Sequence, residues 1–406
     1  MDSYDSEKES EKKFEEKSNS EKKEKIIEEK KFIKRKRKKN REEEHISQNK
    51  NFKLNDVSES NNNYYKSLNF KSDPKSIKFE TCLIKDSYCK NNTIIVFKSF
   101  NDILYLIYTN KQCSIISYNL IEQKKINEIK NAHNKLINDF KYFFDKINRR
   151  DLLLSISIIL DSQIKVWNIN NLECILNIQG YLACFSKHNN NLNIVSCNYS
   201  QSKNPKETIR IYNLDGVLIK TIENTNEKKF LLENYYNEET SKNYLIISCE
   251  KVIIENFRIK HFYHLKSYDY NKNKIYNTYE ESNLIRNIVI IHENKKRFLL
   301  GATENGSIKK WNFDSGFELN HYVISNTYYN SFSFCLWNNE YLFVGFYNKG
   351  KIGLMDLKNG KIVKELYGIE GNYNCIQKVI HPFYGECLIS QDSSGAILFW
   401  KNKYFY

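Results

Sequence analysis

No C-x-x-C pair occurs in this chain. Its ten cysteines, Cys82, Cys89, Cys113, Cys174, Cys184, Cys197, Cys249, Cys335, Cys375 and Cys387, are scattered. Most sit inside apolar strand patterns such as Ile247-Ser248-Cys249. That argues against a zinc site or a disulfide framework and reads as reduced core residues of an intracellular protein. A membrane-length apolar run is also missing: the longest, residues 152–160, contains two serines and is too short to span a bilayer. The first ten residues are polar and acidic, unlike a secretory leader. Arginine is scarce, with 9 among the 63 basic residues and six beyond Arg41. The formal charge of +14 is therefore carried mostly by lysine. Lysine spread over a surface gives salt-sensitive, unspecific attraction to nucleic acid, whereas arginine supplies the planar contacts that read phosphate and guanine.

Catalytic signatures are absent too. There is no G-x-S-x-G elbow and no Cys/His arrangement at catalytic spacing, so an enzyme is not expected. Gly345 to Lys351 imitates a phosphate-binding loop, but Ile352 stands where Ser or Thr must hold magnesium. The segment also leads into a strand, so it reads as a hairpin turn. His261 and His264 have no further ligands nearby, and His381-Pro382 sits at a strand end. No cofactor, metal or small-molecule substrate is expected.

What is present is a repeat. A short strand ending in a large apolar residue, then Asn or Asp in most copies, then a turn, returns seven times across a chain that is 40% hydrophobic. The end residues are Tyr118, Trp167, Tyr212, Tyr268, Trp311, Met355 and Trp400, spaced by 49, 45, 56, 43, 44 and 45 residues. Such a period marks a unit that cannot bury its own apolar face and must stack on its neighbours. In the second copy, 137–143, 152–159, 164–167 and 174–178 read as four antiparallel strands, one blade of a propeller. Gly216, Gly316 and Gly360 fall where the third-to-fourth turn needs positive φ. The seventh copy stops without a fourth strand. The alternation Ile77, Phe79, Leu83 is expected to supply it by pairing with 396–401, because an unpaired edge invites association.

Residues 1–74 differ from the propeller region, 75–406. Residues 1–50 hold 17 Lys/Arg and 14 Asp/Glu with few apolar residues, too little to offset the entropy of ordering. A disordered or partly helical charged tail is expected, followed by an Asn/Ser-rich linker.

Asp161 to Trp167-Asn168 and Asn305 to Trp311-Asn312 resemble the WD-repeat (WD40) family of β-propellers, a likeness covering about residues 76–406. The resemblance implies a structural hydrogen-bond set of His133, Ser157, Asp161 and Trp167 in the second blade. Other blades depart from it: the Asp position holds Gln112, Lys206, Asn305, Lys349 and Ser394, so apolar packing must hold them. Trp167, Trp311 and Trp400 are expected between blades. The resemblance also implies a non-catalytic scaffold or adaptor that binds proteins or peptides on its upper face. Alternatives are a nuclear ribonucleoprotein or chromatin component and a ubiquitin-ligase substrate receptor, although the Trp-Asp-x-Arg signature of such receptors is missing.

Two segments stand out as candidate sites. The 56-residue interval carries an insertion near 250–264, with Phe257, Arg258, Lys260, Phe262 and Tyr263. It reads either as a partner-binding surface, aromatics beside Arg being typical anchors, or as a long hairpin folded on its own blade. Lys203 and Lys206 are expected to rim the same face. The run Lys34, Arg35, Lys36, Arg37, Lys38, Lys39 reads as a nuclear import signal, a nucleic-acid tail or a solvated stretch, leaving nucleus and cytoplasm both open.

Overall fold

The computed structural model describes residues 73–85, 87–88, 93–158, 162–188, 191–199, 207–222, 227–255, 258–324, 333–345, 350–368 and 373–402. The charged tail, its 34–39 run, Asp161, Lys203, Lys206 and Phe257 lie outside the described residues.

The chain folds as seven four-stranded antiparallel sheets. Blade 1 is Ile94–Lys98, Leu104–Thr109, Ile115–Asn119 and Lys124–Ile129; blades 2 to 6 follow at residues 137–179, 182–222, 227–281, 285–323 and 334–367. In blade 7, Tyr373–His381, Gly385–Asp392 and Ile397–Asn402 are joined by Ile77–Ile84, which pairs Ile77 with Asn402, Phe79 with Trp400 and Ile84 with Ile397. The N-terminal side of the chain thus closes the ring, as the alternation of 77–83 led us to expect. The architecture is a seven-bladed β-propeller.

Each seam between neighbouring blades has its own apolar core, and the seven cores run without interruption around the ring. The end residue of most blades plugs the seam with the blade before it. Trp167 packs with Phe97, Tyr105 and Ile107 of blade 1, Trp311 with Tyr244 and Ile246 of blade 4, and Trp400 with Phe343 and Leu354 of blade 6. These three indoles are 5%, 1% and 0% exposed, which places them between blades as their size requires. Tyr212 and Tyr268 are only half-buried.

The motif owes its form to two backbone devices. In blades 1 to 6 the Asn or Asp after the end residue folds an Asx turn. Its Oδ1 accepts from the main-chain N–H two residues on, at 2.8–3.1 Å from Asn119 through Asp356. Gly316 and Gly360, at φ +77° and +70°, then complete turns that a side chain would strain. Opposite every end residue the fourth strand skips one residue. The extra residues are Ile126, Ile175, Ile219, Tyr276, Leu319, Val363 and, in the closing strand, Glu80. A bulge of this kind adds twist and re-aims side chains. Its presence in Ile77–Ile84 shows that this strand is a true fourth strand.

The antiparallel order puts the connections between second and third strands, and from each blade to the next, on one face, here the upper. First-to-second and third-to-fourth turns lie on the lower face.

Candidate partner-binding ribbon

Blade 4 departs from the plan by growing upward. Its second and third strands, Lys242–Glu255 and Arg258–Asp269, are 14 and 12 residues long. They keep pairing beyond the first strand, which ends against Lys251, through Val252–His261, Ile253–Lys260 and Glu255–Arg258. Val252, Ile253, Ile259, Phe262 and Tyr263 are the β-branched and aromatic types that suit a pleated surface. The insertion is therefore a two-stranded ribbon in line with its blade rather than a hairpin folded back upon it.

Pairing decides what each face shows. Lys251, Ile253, Glu255, Arg258, Lys260 and Phe262 share one face, with Glu255 and Lys260 paired at 2.7 Å. Val252, Ile259, His261 and Tyr263 share the other, where His261 Nδ1 lies 2.7 Å from Glu250 Oε1. Of the expected site residues, Arg258, Lys260 and Phe262 come together and Tyr263 points the opposite way. Val252, Ile259 and Phe262 are 47%, 63% and 41% exposed. Ile259, the most exposed of them, escaped the sequence reading because a single isoleucine between charged residues carries no periodic signal. His261 and His264 face opposite sides of the ribbon and share no site.

The base of the ribbon is fixed by buried charge. Lys229 Nζ, wholly buried, lies 3.5 Å from Glu207 Oε2, which also accepts from the Lys229 main-chain N–H at 2.7 Å and from the Tyr181 hydroxyl. Beside them Lys266 Nζ donates to both Glu227 oxygens at 2.7 Å. Every member of this cluster is engaged, as burial demands. Cys249, beneath them, has its thiol pushed up to about 12, first by burial and then by Glu227, which makes it a poor nucleophile.

In blade 2 two members of the expected polar set, His133 and Trp167, are joined through a serine, with one correction; Asp161 lies outside the described residues. His133 Nε2 lies 2.7 Å from Ser155 Oγ, and Trp167 Nε1 donates to the same oxygen at 2.8 Å. Ser155, not Ser157, joins the two. Trp167 is paired with Leu153, so its indole reaches one pleat along that face, to Ser155. Ser157 lies a further pleat away and caps the turn, accepting from Gln163 N at 3.0 Å. Blade 7 repeats the bond as Trp400 Nε1 to Ser390 Oγ at 2.8 Å, whereas blade 5 places Gly301 under Trp311, where a Cβ would lie 2.9 Å from the ring.

A cavity of about 880 Å³ opens among blades 2, 3 and 4, walled by Phe143, Phe185, Leu192 and Leu214. Lys141 spans it to pair with Glu233 and with Asp139 at 3.4 Å. Burial, only partly offset by Lys141, pushes the Asp139 carboxyl up to about 6. His381, the strand-end histidine, stacks on Tyr384 at 4.7 Å within the core. Among the described residues no group of three or more His, Cys, Asp or Glu is placed to hold a metal. No helix there is long and apolar enough to cross a membrane.

No protein-family model matches the chain, and no curated protein matches it. Among solved structures 1410 chains are similar to it. One is Raptor from Chaetomium thermophilum, with a TM-score of 0.59 and 11% identity over 81% of this chain and 29% of that one. The chain thus spans less than a third of Raptor's length. The likeness lies in the fold. At that identity it carries the β-propeller architecture and nothing finer, and so common an architecture hosts many functions.

Proposed function

We propose that the chain is a non-catalytic protein-interaction scaffold of WD-repeat type that holds a partner along the blade 4 ribbon of its upper face. The observation that carries this reading is the ribbon itself: apolar side chains displayed on a paired two-stranded extension whose base is held by buried ion pairs. Phe262 with Arg258 and Lys260 makes an aromatic anchor with a basic rim, which suits an extended, acidic partner segment. The Trp–Ser–His chain of blade 2 and the Trp–Ser bond of blade 7 support the WD-repeat resemblance, and the fold shared with Raptor fits a platform. The reading includes an intracellular location, with the 34–39 run as an import signal; a fluorescent fusion of residues 1–60 that stays cytoplasmic would remove that part.

The test replaces Arg258→Ala, Ile259→Ser and Phe262→Ser together and repeats affinity capture from the native cell beside wild type. Loss of specific partners from a variant with native circular dichroism supports the ribbon. An unchanged partner set rejects it.

A further inference from the structure

Five of the seven blades close their lower edge in the same way. The residue two beyond the end residue, Leu120, Ile169, Tyr270, Phe313 or Leu357, is buried. Its main-chain N–H donates to the second strand of its own blade at 2.8–3.0 Å. The turn that follows takes its positive φ four residues after the Asn or Asp, at Gln123, Leu172, Asn273, Gly316 and Gly360. Blade 3 breaks this pattern because its turn is one residue shorter. After Asn213 the positive φ comes at Gly216, three residues on. Leu214 is then only half-buried, and its N–H makes no such bond among the described residues.

A tie to the preceding blade is missing as well. In blade 2 Asp151 accepts from the Phe100 N–H of blade 1 at 3.2 Å, and in blade 4 Asn243 donates to Ser186 of blade 3 at 3.0 Å. The same register position in blade 3 is Leu192, whose side chain can do neither. The seam between blades 2 and 3 is therefore open at its lower end. The cavity of about 880 Å³ lies there, within the usual size of a ligand pocket. Phe143 and Phe185, with ring centres 5.5 Å apart, face it beside Leu192 and Leu214. Ile147 and Ile219 carry the apolar surface onto the rim, 73% and 55% exposed. Charge on the lining cancels: Lys141 pairs with Glu233 and Arg150 with Asp145, and two further lysines are matched by two further carboxylates.

Two polar atoms of the lining residues are idle. Asn193, 3% exposed, and Asn234 each have a buried Oδ1 without a hydrogen-bond partner among the described residues. Asn193 Nδ2 donates to the Tyr270 hydroxyl at 3.4 Å, which orients the amide with its acceptor unused. A buried acceptor left idle is costly, and a donor that arrives with a ligand removes the cost.

We propose that this mouth is a binding site for a tryptophan side chain presented by an uncharged segment of a partner protein. The indole covers the aromatic and aliphatic walls, its N–H supplies the missing donor, and the balanced lining gives a strongly charged segment no advantage. The protein's own seams hold indoles in this manner: Trp167 and Trp400 lie between blades and donate to Ser155 and Ser390 at 2.8 Å. The site is on the lower face and does not depend on the ribbon's role.

The experiment titrates the full chain with N-acetyltryptophanamide and, separately, N-acetylphenylalaninamide, followed by saturation-transfer NMR. The tryptophan probe should bind with a Kd on the order of 1 mM, and the phenylalanine probe, which lacks the side-chain donor, at least about threefold more weakly. Asn193→Leu should bring the two probes level. Leu214→Lys, on a half-buried turn residue, should weaken the tryptophan probe at least about tenfold, and Ile219→Lys on the rim serves if that variant fails to fold. Val363→Lys, at the matching bulge of blade 6, should leave binding unchanged. Absence of binding to wild type at about 10 mM overturns the proposal. So does equal binding by a folded mouth variant, or an equal loss in Val363→Lys.

Discussion

Blades 2 and 4 place different chemistry on the same backbone. Both turn after their third strand through an Asx turn, at Asn168 and Asp269, and both carry the bulge opposite the end residue. In blade 2 that residue is Trp167, 5% exposed and tied through Ser155 to His133. In blade 4 it is Tyr268, half-buried at the edge of the blade 3–4 core, and the blade lengthens into a ribbon. The difference teaches that the repeat unit is a backbone geometry, bulge plus turn, and that the tryptophan network is one of several ways to fill it.

The largest effect should come from emptying the blade 2 seam. Trp167→Ala removes an indole packed against two blades and should cost ~3–5 kcal/mol. Tyr268→Ala should cost only about 1–2 kcal/mol, because much of that ring already meets water. Urea unfolding of both variants checks the contrast; equal losses would mean that the end residue, not the backbone device, is what each blade needs. Next comes the serine. Ser155→Ala leaves the Trp167 N–H buried without an acceptor and should cost roughly 2 kcal/mol, whereas Ser157→Ala loses a turn cap worth about 1 kcal/mol. The reverse order would restore Ser157 to the network.

Smaller still is a pH effect peculiar to blade 2. Burial first, then the neighbouring Lys165, lowers the His133 pKa from 6.5 to about 3, so the imidazole is neutral in the fold. Between those values the unfolded chain binds a proton that the folded chain refuses, so His133 favours folding above pH 6.5 and this contribution fades as pH falls towards 3. From pH 7 to 5.5 the loss is about 1.3 kcal/mol. His133→Gln should lose that much less than wild type over the same interval; parallel profiles would show that the histidine is not kept neutral.

The period, the strand alternation and the closing strand were legible in the sequence because each leaves a pattern in consecutive residues: the end residue with its Asn or Asp, the Gly of the turn, and the alternation of 77–83. The irregular 56-residue interval pointed to the ribbon for the same reason. What escaped depends on distances within a pleat or across a seam. Ser155 and Ser157 lie on one face of one strand, so alternation cannot choose between them; only the reach of the indole does. The open mouth of the seam between blades 2 and 3 draws Phe143 from one blade and Phe185, Leu192 and Leu214 from the next, and no local spacing links them.

The ribbon supplies the smallest effect on stability and the sharpest break between the two blades. Arg258, Ile259 and Phe262 sit beyond the first strand, on residues that water already reaches, so replacing all three should shift unfolding by less than about 0.5 kcal/mol per site. In blade 2 the buried set of Leu153, Ser155 and Trp167 tolerates no such change, because those side chains are spent on the seam. If the triple variant instead unfolds as readily as Trp167→Ala, the ribbon is part of the core of blade 4 and its exposed residues are not free to receive a partner. A variant of near-native stability separates the two roles: the seams hold the ring, and blade 4, whose ribbon outgrows its seam, has surface left for binding.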